Sequence, residues 1–157
     1  MSKICCFTGH RKIAASEYWW LSDKLDEIIA HFYACGYTVF RVGGALGFDT
    51  MVEKKVLALR DMGANVELEL YLPCGDQAKA WNEEERRTYE EILRKADRVF
   101  CLYPTYTKGC MFERNRRMVD GSDLCIGYCQ RPRSGSGYTI SYAQSKGVHV
   151  LNLATLP

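Results

Sequence analysis

Short apolar, β-branched runs alternate with longer amphipathic stretches along this chain, and that alternation limits the fold more than any other feature. Lys3 to Thr8, Tyr37 to Val42, Val66 to Leu72, Asp97 to Tyr103, Asp123 to Tyr128 and Val148 to Leu153 read as six strands. Ser16 to Cys35 carries Leu21, Leu25, Ile28, Ile29 and Phe32 at helical spacing and ends at Gly36. Phe48, Met51, Val52, Val56, Leu59 and Met62 form the next stripe, stopped by Gly63. Trp81 to Ala96, Cys110 to Asp120 and Tyr138 to Lys146 complete the helices. Strands that alternate with helices of this length predict an α/β fold, a parallel sheet covered on both faces.

At 157 residues the expectation is one domain spanning residues 1–157, without internal repeat or boundary. The 21 basic and 19 acidic side chains leave a charge of only +2. Nucleic acid is therefore an unlikely partner on bulk charge, although a local basic patch remains compatible with it. No apolar stretch is long enough to cross a membrane. The N-terminus enters a strand-like run at once, with no secretory pattern, so the expectation is a cytoplasmic protein with reduced thiols. None of the eight cysteines forms a C-x-x-C pair, and no metal site is expected. Cys5, Cys101 and Cys125 sit among apolar neighbours and read as packing residues. Cys125 and Cys129 would share one strand face, and Cys110 opens a helix, where a thiol pKa can fall.

Three glycine-bearing junctions follow strands one, two and five: Thr8-Gly9-His10-Arg11, Gly43-Gly44-Ala45-Leu46-Gly47-Phe48-Asp49 and Gly135-Ser136-Gly137. All three lie at the carboxyl edge of a parallel sheet, where open α/β folds bind ligands. A strand, then glycines, then a helix N-terminus is an anion site in outline. None matches G-x-G-x-x-G or G-x-x-x-x-G-K-[ST], so neither dinucleotide nor P-loop labels apply. Each junction alone reads equally as a turn; together they suggest one phosphate-bearing ligand.

Arg11 suits bidentate phosphate capture, with a surface arginine as the plain alternative. His10 is a donor to an oxyanion or a turn cap. Asp49 accepts from a ribose hydroxyl or caps its helix. Arg114 and Arg117 share a helical face and one of them is expected in the cleft, with Arg116 toward solvent. Gly135, Ser136, Gly137 and Thr139 would supply N–H and hydroxyl donors. Trp81, one turn beyond Gln77, would stack on a base or pack as a lid. Trp19-Trp20 cannot both face one stripe. One of them exposed would mark a homodimer contact; packing beneath a loop is the alternative.

With these residues assembled, the chain resembles the YpsA-like family, within the superfamily that DprA and the LOG phosphoribohydrolases share. Thr8-Gly9-His10-Arg11, Gly43 to Asp49, Pro73-Cys74 with Gln77 and Trp81, Gly109-Cys110-Met111 with Arg114-Asn115, and Gly135 to Thr139 followed by Tyr142-Ala143 carry the likeness. Lys12 stands where that family usually has a proline. The resemblance implies a Rossmann-like three-layer sandwich with about five to six strands and a cleft for a nucleotide or nucleotide-derived ligand. Its binding set would be Gly9, His10, Arg11, Gly43, Gly44, Gly47, Asp49, Gln77, Trp81, Arg114, Asn115, Gly135, Ser136, Gly137 and Thr139. No other cofactor is implied. YpsA-like proteins are associated with bacterial cell division and stress, so a nucleotide sensor or regulator is the first expectation.

LOG enzymes carry P-G-G-x-G-T-x-x-E, whose glutamate serves cleavage of the N-glycosidic bond. The matching stretch here runs from Ser134 to Tyr142, and Tyr142 occupies the glutamate's place. Asn115 stands where those enzymes have a lysine. The alternative expectation, a nucleotide N-glycosidase, would have to use Asp49 or Glu113 as its acid.

Overall fold

The computed structural model describes residues 2–156. Six strands alternate with five helices: β1 (Lys3–Gly9), α1 (Ala15–Ala34), β2 (Tyr37–Val42), α2 (Phe48–Asp61), β3 (Glu67–Cys74), α3 (Glu83–Lys95), β4 (Arg98–Tyr103), α4 (Cys110–Val119), β5 (Leu124–Tyr128), α5 (Gly135–Ser145) and β6 (His149–Asn152). All neighbours pair in parallel, in the order β4-β3-β2-β1-β5-β6. The chain is a Rossmann-like α/β fold. No described helix is long and apolar enough to cross a membrane.

Strand alternation sorts the core into two layers. Cys5, Phe7, Leu124 and Ile126 face Leu21, Leu25 and Ile29 of α1 and Val52 and Val56 of α2. Cys6 and Cys125 face Met118 and Val119 of α4 and Ala143 of α5. Cys5 and Cys125 are thus packing residues, as their neighbours suggest. Cys101 is exposed instead, because β4 is the sheet edge and pairs with β3 alone. Cys129 lies beyond the end of β5 and does not share its face with Cys125.

Helix starts differ from the periodicity for local reasons. α3 begins at Glu83 rather than Trp81, because Asn82 and Glu85 form a reciprocal capping box. α5 begins at Gly135 rather than Tyr138, because the Ser134 hydroxyl accepts from the Gly137 amide at 3.1 Å. The third glycine junction is therefore the first turn of a helix. β3 continues through Pro73 to Cys74, since β2 has already ended opposite Leu70 and only β4 still flanks it. On α1 the buried stripe is Leu21, Leu25 and Ile29. That stripe leaves Trp19 and Trp20 outside it, 73% and 42% exposed, so neither packs beneath a loop.

Candidate functional site

β1 and β5 are adjacent, yet the chain leaves them in opposite directions, through α1 to β2 and through α5 to β6. Such a switch point opens a crevice at the carboxyl ends of the two strands. A cleft of about 220 Å³ sits there, lined by Thr8 to Arg11, Ala45, Asp49, Arg114, Asn115, Arg131 and Ser134 to Ser136.

Hydrogen bonds join the three junctions into one structure. The Phe48 amide at the start of α2 donates to the His10 carbonyl at 3.1 Å. The Gln130 amide donates to His10 Nε2 at 2.9 Å, and His10 Nδ1 lies 3.3 Å from Ser136 Oγ. Nε2 accepts, so the proton of a neutral ring sits on Nδ1 and is given to Ser136. Burial, then the Arg131 charge, holds the ring's pKa below its ordinary value of 6.5. His10 therefore clamps β1 to α5, with both ring nitrogens already committed to protein partners.

Arg114 is 6% exposed and crosses the cleft floor. Its Nη1 donates to the carbonyls of Gly43 at 2.6 Å and Tyr71 at 3.2 Å, and its Nε to Asn115 Oδ1 at 2.7 Å. Among the described residues Nη2 makes no hydrogen bond, so that donor of the guanidinium is uncommitted. A Cβ at Gly43 would lie 2.5 Å from Arg114 Nη1 and 3.0 Å from Asp49 Oδ2, so glycine there makes room for both charges. Asp49 is buried and accepts from the Ala45 amide at 3.1 Å. Burial raises its pKa to about 6, against the lowering pull of Arg114, the Ala45 amide, Arg11 and the Gly43 amide. Gly47, at φ 77°, caps α2 where a side chain would strike the Arg11 and His10 carbonyls.

At α5, Ser134 satisfies Gly137, while the Gly135 and Ser136 amides precede any intrahelical acceptor and line the cleft. Arg11 and Arg131 stand exposed at the rim. The lining thus sets three arginines and a helix N-terminus against one carboxyl group. No group of His, Cys, Asp and Glu among the described residues is arranged to hold a metal ion.

Gly9, His10, Arg11, Asp49, Arg114, Asn115, Gly135 and Ser136 come together in this cleft. Gly43 supports it through Arg114. Thr139 spends its hydroxyl on the Gly135 carbonyl at 3.0 Å, and Gly137 is taken by the cap. Arg117, exposed, pairs with Glu113. Glu113 is not in the cleft: it accepts from Tyr103 Oη at 2.8 Å and from Arg117 at 3.3 Å. Tyr142 also points elsewhere, donating to Asp120 Oδ1 at 2.7 Å. Gly47 and Trp81 line a second cavity, where Gln77 stands behind Tyr89 and donates to the Gly44 carbonyl. Arg131 also lines the cleft, and its place in the aperiodic loop between β5 and α5 carries no facial signal in the sequence.

The family model described as the YspA SLOG family (YpsA) matches residues 6–149. UPF0398 proteins of Bacillus thuringiensis (strain Al Hakam) and Bacillus cereus (strain AH187) are each 26% identical over 109 residues, 68% of this chain and 59% of theirs. The chain spans 59% of the length of these relatives. The solved structure of DNA processing protein A from Helicobacter pylori, reported for its single-stranded DNA binding mode, superposes with a TM-score of 0.68 at 18% identity, covering 94% of this chain and 63% of that one. DNA processing protein A from Streptococcus pneumoniae gives 0.67 at 16% identity, covering 95% and 49%. Likeness at these identities shows the fold. A neighbour of this fold that binds single-stranded DNA also removes the ground for dismissing nucleic acid on a charge of +2.

Proposed function

The chain belongs to the YspA SLOG family, and on that premise we propose that its switch-point cleft binds the phosphate of a nucleotide or nucleotide-derived ligand. The carrying observation is that Arg11, Arg114 and Arg131 line one crevice together with Gly135 and Ser136, the first two residues of α5. Phosphate would meet these donors, and the sugar hydroxyls would reach Asp49. A ligand held this way suits a sensor or regulator, since the cleft lining carries three arginines and a single carboxyl group.

Calorimetry against AMP, ADP-ribose, NAD and cyclic nucleotides tests the reading. At least one is expected to bind, with affinity that falls as salt rises because charge carries the contact. No heat from any of them with folded protein would refute it.

A second reading rests on Asp49 alone. A carboxyl group with a pKa of about 6 is poised to give a proton near neutral pH. In an N-glycosidase it would assist departure of the base through an oxocarbenium-like state. This reading expects base release from a nucleoside monophosphate, abolished in Asp49→Asn. Intact substrate after prolonged incubation would exclude it and leave binding as the function.

A further inference from the structure

A second cavity, of about 260 Å³, lies on the far side of the Gly44 to Gly47 turn, between α2 and the start of α3. It shares no lining residue with the cleft. Trp81 and Tyr89 form one wall, ring centroids 5.0 Å apart and 76° inclined. Tyr18 from α1 and Met51 complete an aromatic and apolar box. Glu53 also lines it, and a carboxylate at such a place is out of character for the core.

Glu53 is 2% exposed, and its Oε2 has no hydrogen-bond partner. Gln77 Oε1 is likewise buried and unpartnered, behind Tyr89, while Gln77 Nε2 makes only two long bonds of 3.4 Å, to the Gly44 carbonyl and Tyr89 Oη. Gln77 is not part of the cavity wall, whereas Glu53 is; a buried carboxyl oxygen without a donor is costly, and a native structure retains it where something supplies the donor. Glu84 and Glu85 stand at the rim with Lys54 as the single basic residue of the lining. Three carboxyl groups, one ammonium and two aromatic faces together favour a flat cation.

We propose that this cavity is a second small-molecule site, taking a planar nitrogenous group, an amidine or an amino-bearing heterocycle, whose N–H donors pair with Glu53. The ring lies against Trp81. Burial, then the neighbouring Asp49 charge, pushes the Glu53 carboxyl well above the ordinary carboxylate range, against the Gly44 amide and Arg114. Tyr89 on α3 and Tyr18 on α1 add no positive charge, and Lys54 is the only cation of the wall. A bound cation favours the ionised carboxylate, and the proton that Glu53 gives up leaves to solvent. Cation affinity rises with pH for that reason.

The probe is benzamidine, with neutral benzamide as its isosteric control, titrated calorimetrically into the full chain. Benzamidinium is expected to bind about tenfold or more tightly than benzamide, as one charge-assisted buried contact implies. Its affinity should rise with pH, with heats that depend on the buffer's ionisation enthalpy. Glu53→Gln should lose the preference and the buffer dependence while unfolding at an unchanged or higher denaturant concentration. Trp81→Ala, outside any helix, should weaken both probes. Equal or absent binding of the two probes, or a preference that survives Glu53→Gln, would overturn the proposal. Adenosine serves as a competitor: displacement of benzamidinium identifies a nucleobase as the natural group, and its failure to displace identifies a separate amidine or amine, the site standing in both cases. Because the two cavities share no lining residue, AMP binding in the cleft is a separate readout.

Discussion

Asp49 and His10 titrate in opposite senses, and both report on the cleft. Asp49 rises from 3.8 to about 6 on folding. A raised folded value means that its stabilising contribution is complete below the unfolded value and is lost as pH climbs through about 6. The shift corresponds to a loss on the order of 3 kcal/mol. Urea denaturation across pH 4 to 8 should show this decline in the parent protein relative to Asp49→Asn, which lacks it; parallel curves would contradict the assignment. His10 is lowered below 6.5, so stability drops as pH falls through its folded midpoint. An NMR titration of the ring should give that midpoint below 6.5, and one above it would remove the clamp to Gln130. Gly47→Ala is expected to cost about 2 kcal/mol or more, since φ is positive and the Arg11 carbonyl occupies the space. His10, Arg11, Asp49 and Arg114 were readable because strand, glycine and helix start fix where they fall. Glu113 was misplaced because adjacent helical residues point about 100° apart, so Arg114 in the cleft sends Glu113 toward Tyr103. Glu53 went unnoticed because a charged residue in a helical stripe reads as surface.

The helices and strands that frame the cleft are held by contacts the hydrophobic pattern does not encode. Ser134 caps α5, and Ser134→Ala should cost about 1 kcal/mol and weaken phosphate binding through a looser first turn. Asn82→Ala at α3 should cost a similar amount, about 1 kcal/mol, with no effect on the cleft. Thermal or urea unfolding gives both stabilities, and calorimetry separates the two helices. Between β2 and β3, Arg41 and Glu69 are paired across the ladder, with Nε to Oε1 at 3.0 Å and side chains 14% and 7% exposed. Arg41 also donates to the Met118 and Asp120 carbonyls, tying the sheet to the end of α4. Removing one partner strands a buried charge, so Glu69→Ala should destabilise by about 3–5 kcal/mol. A loss below about 1 kcal/mol would place the pair among surface ion pairs. Element types were legible from periodicity, while the two helix starts depended on Ser134 and Asn82, whose caps compete with apolar spacing only at the boundary.

Sheet order belongs to the whole chain. Alternating patterns imply parallel strands, but they do not say that β5 returns past three others to lie beside β1. That return makes the switch point, brings α5 to the first loop and assembles three arginines from distant segments. It also parts Trp81 from the cleft residues, which share one edge with it in sequence order but not one cavity. Trp19 and Trp20 of α1 stand exposed outside the buried stripe; if they form a homodimer contact, light scattering should show a mass that rises with concentration, and a constant monomer mass would contradict it. Phosphate recognition at the switch point is tested by one calorimetric comparison: AMP against adenosine, on the parent protein and on Arg131→Ala. AMP should bind the parent about tenfold or more tightly than adenosine, and that advantage should shrink in Arg131→Ala, as loss of a charge-assisted bond implies. Equal affinity for AMP and adenosine, or an advantage untouched by Arg131→Ala, would contradict it.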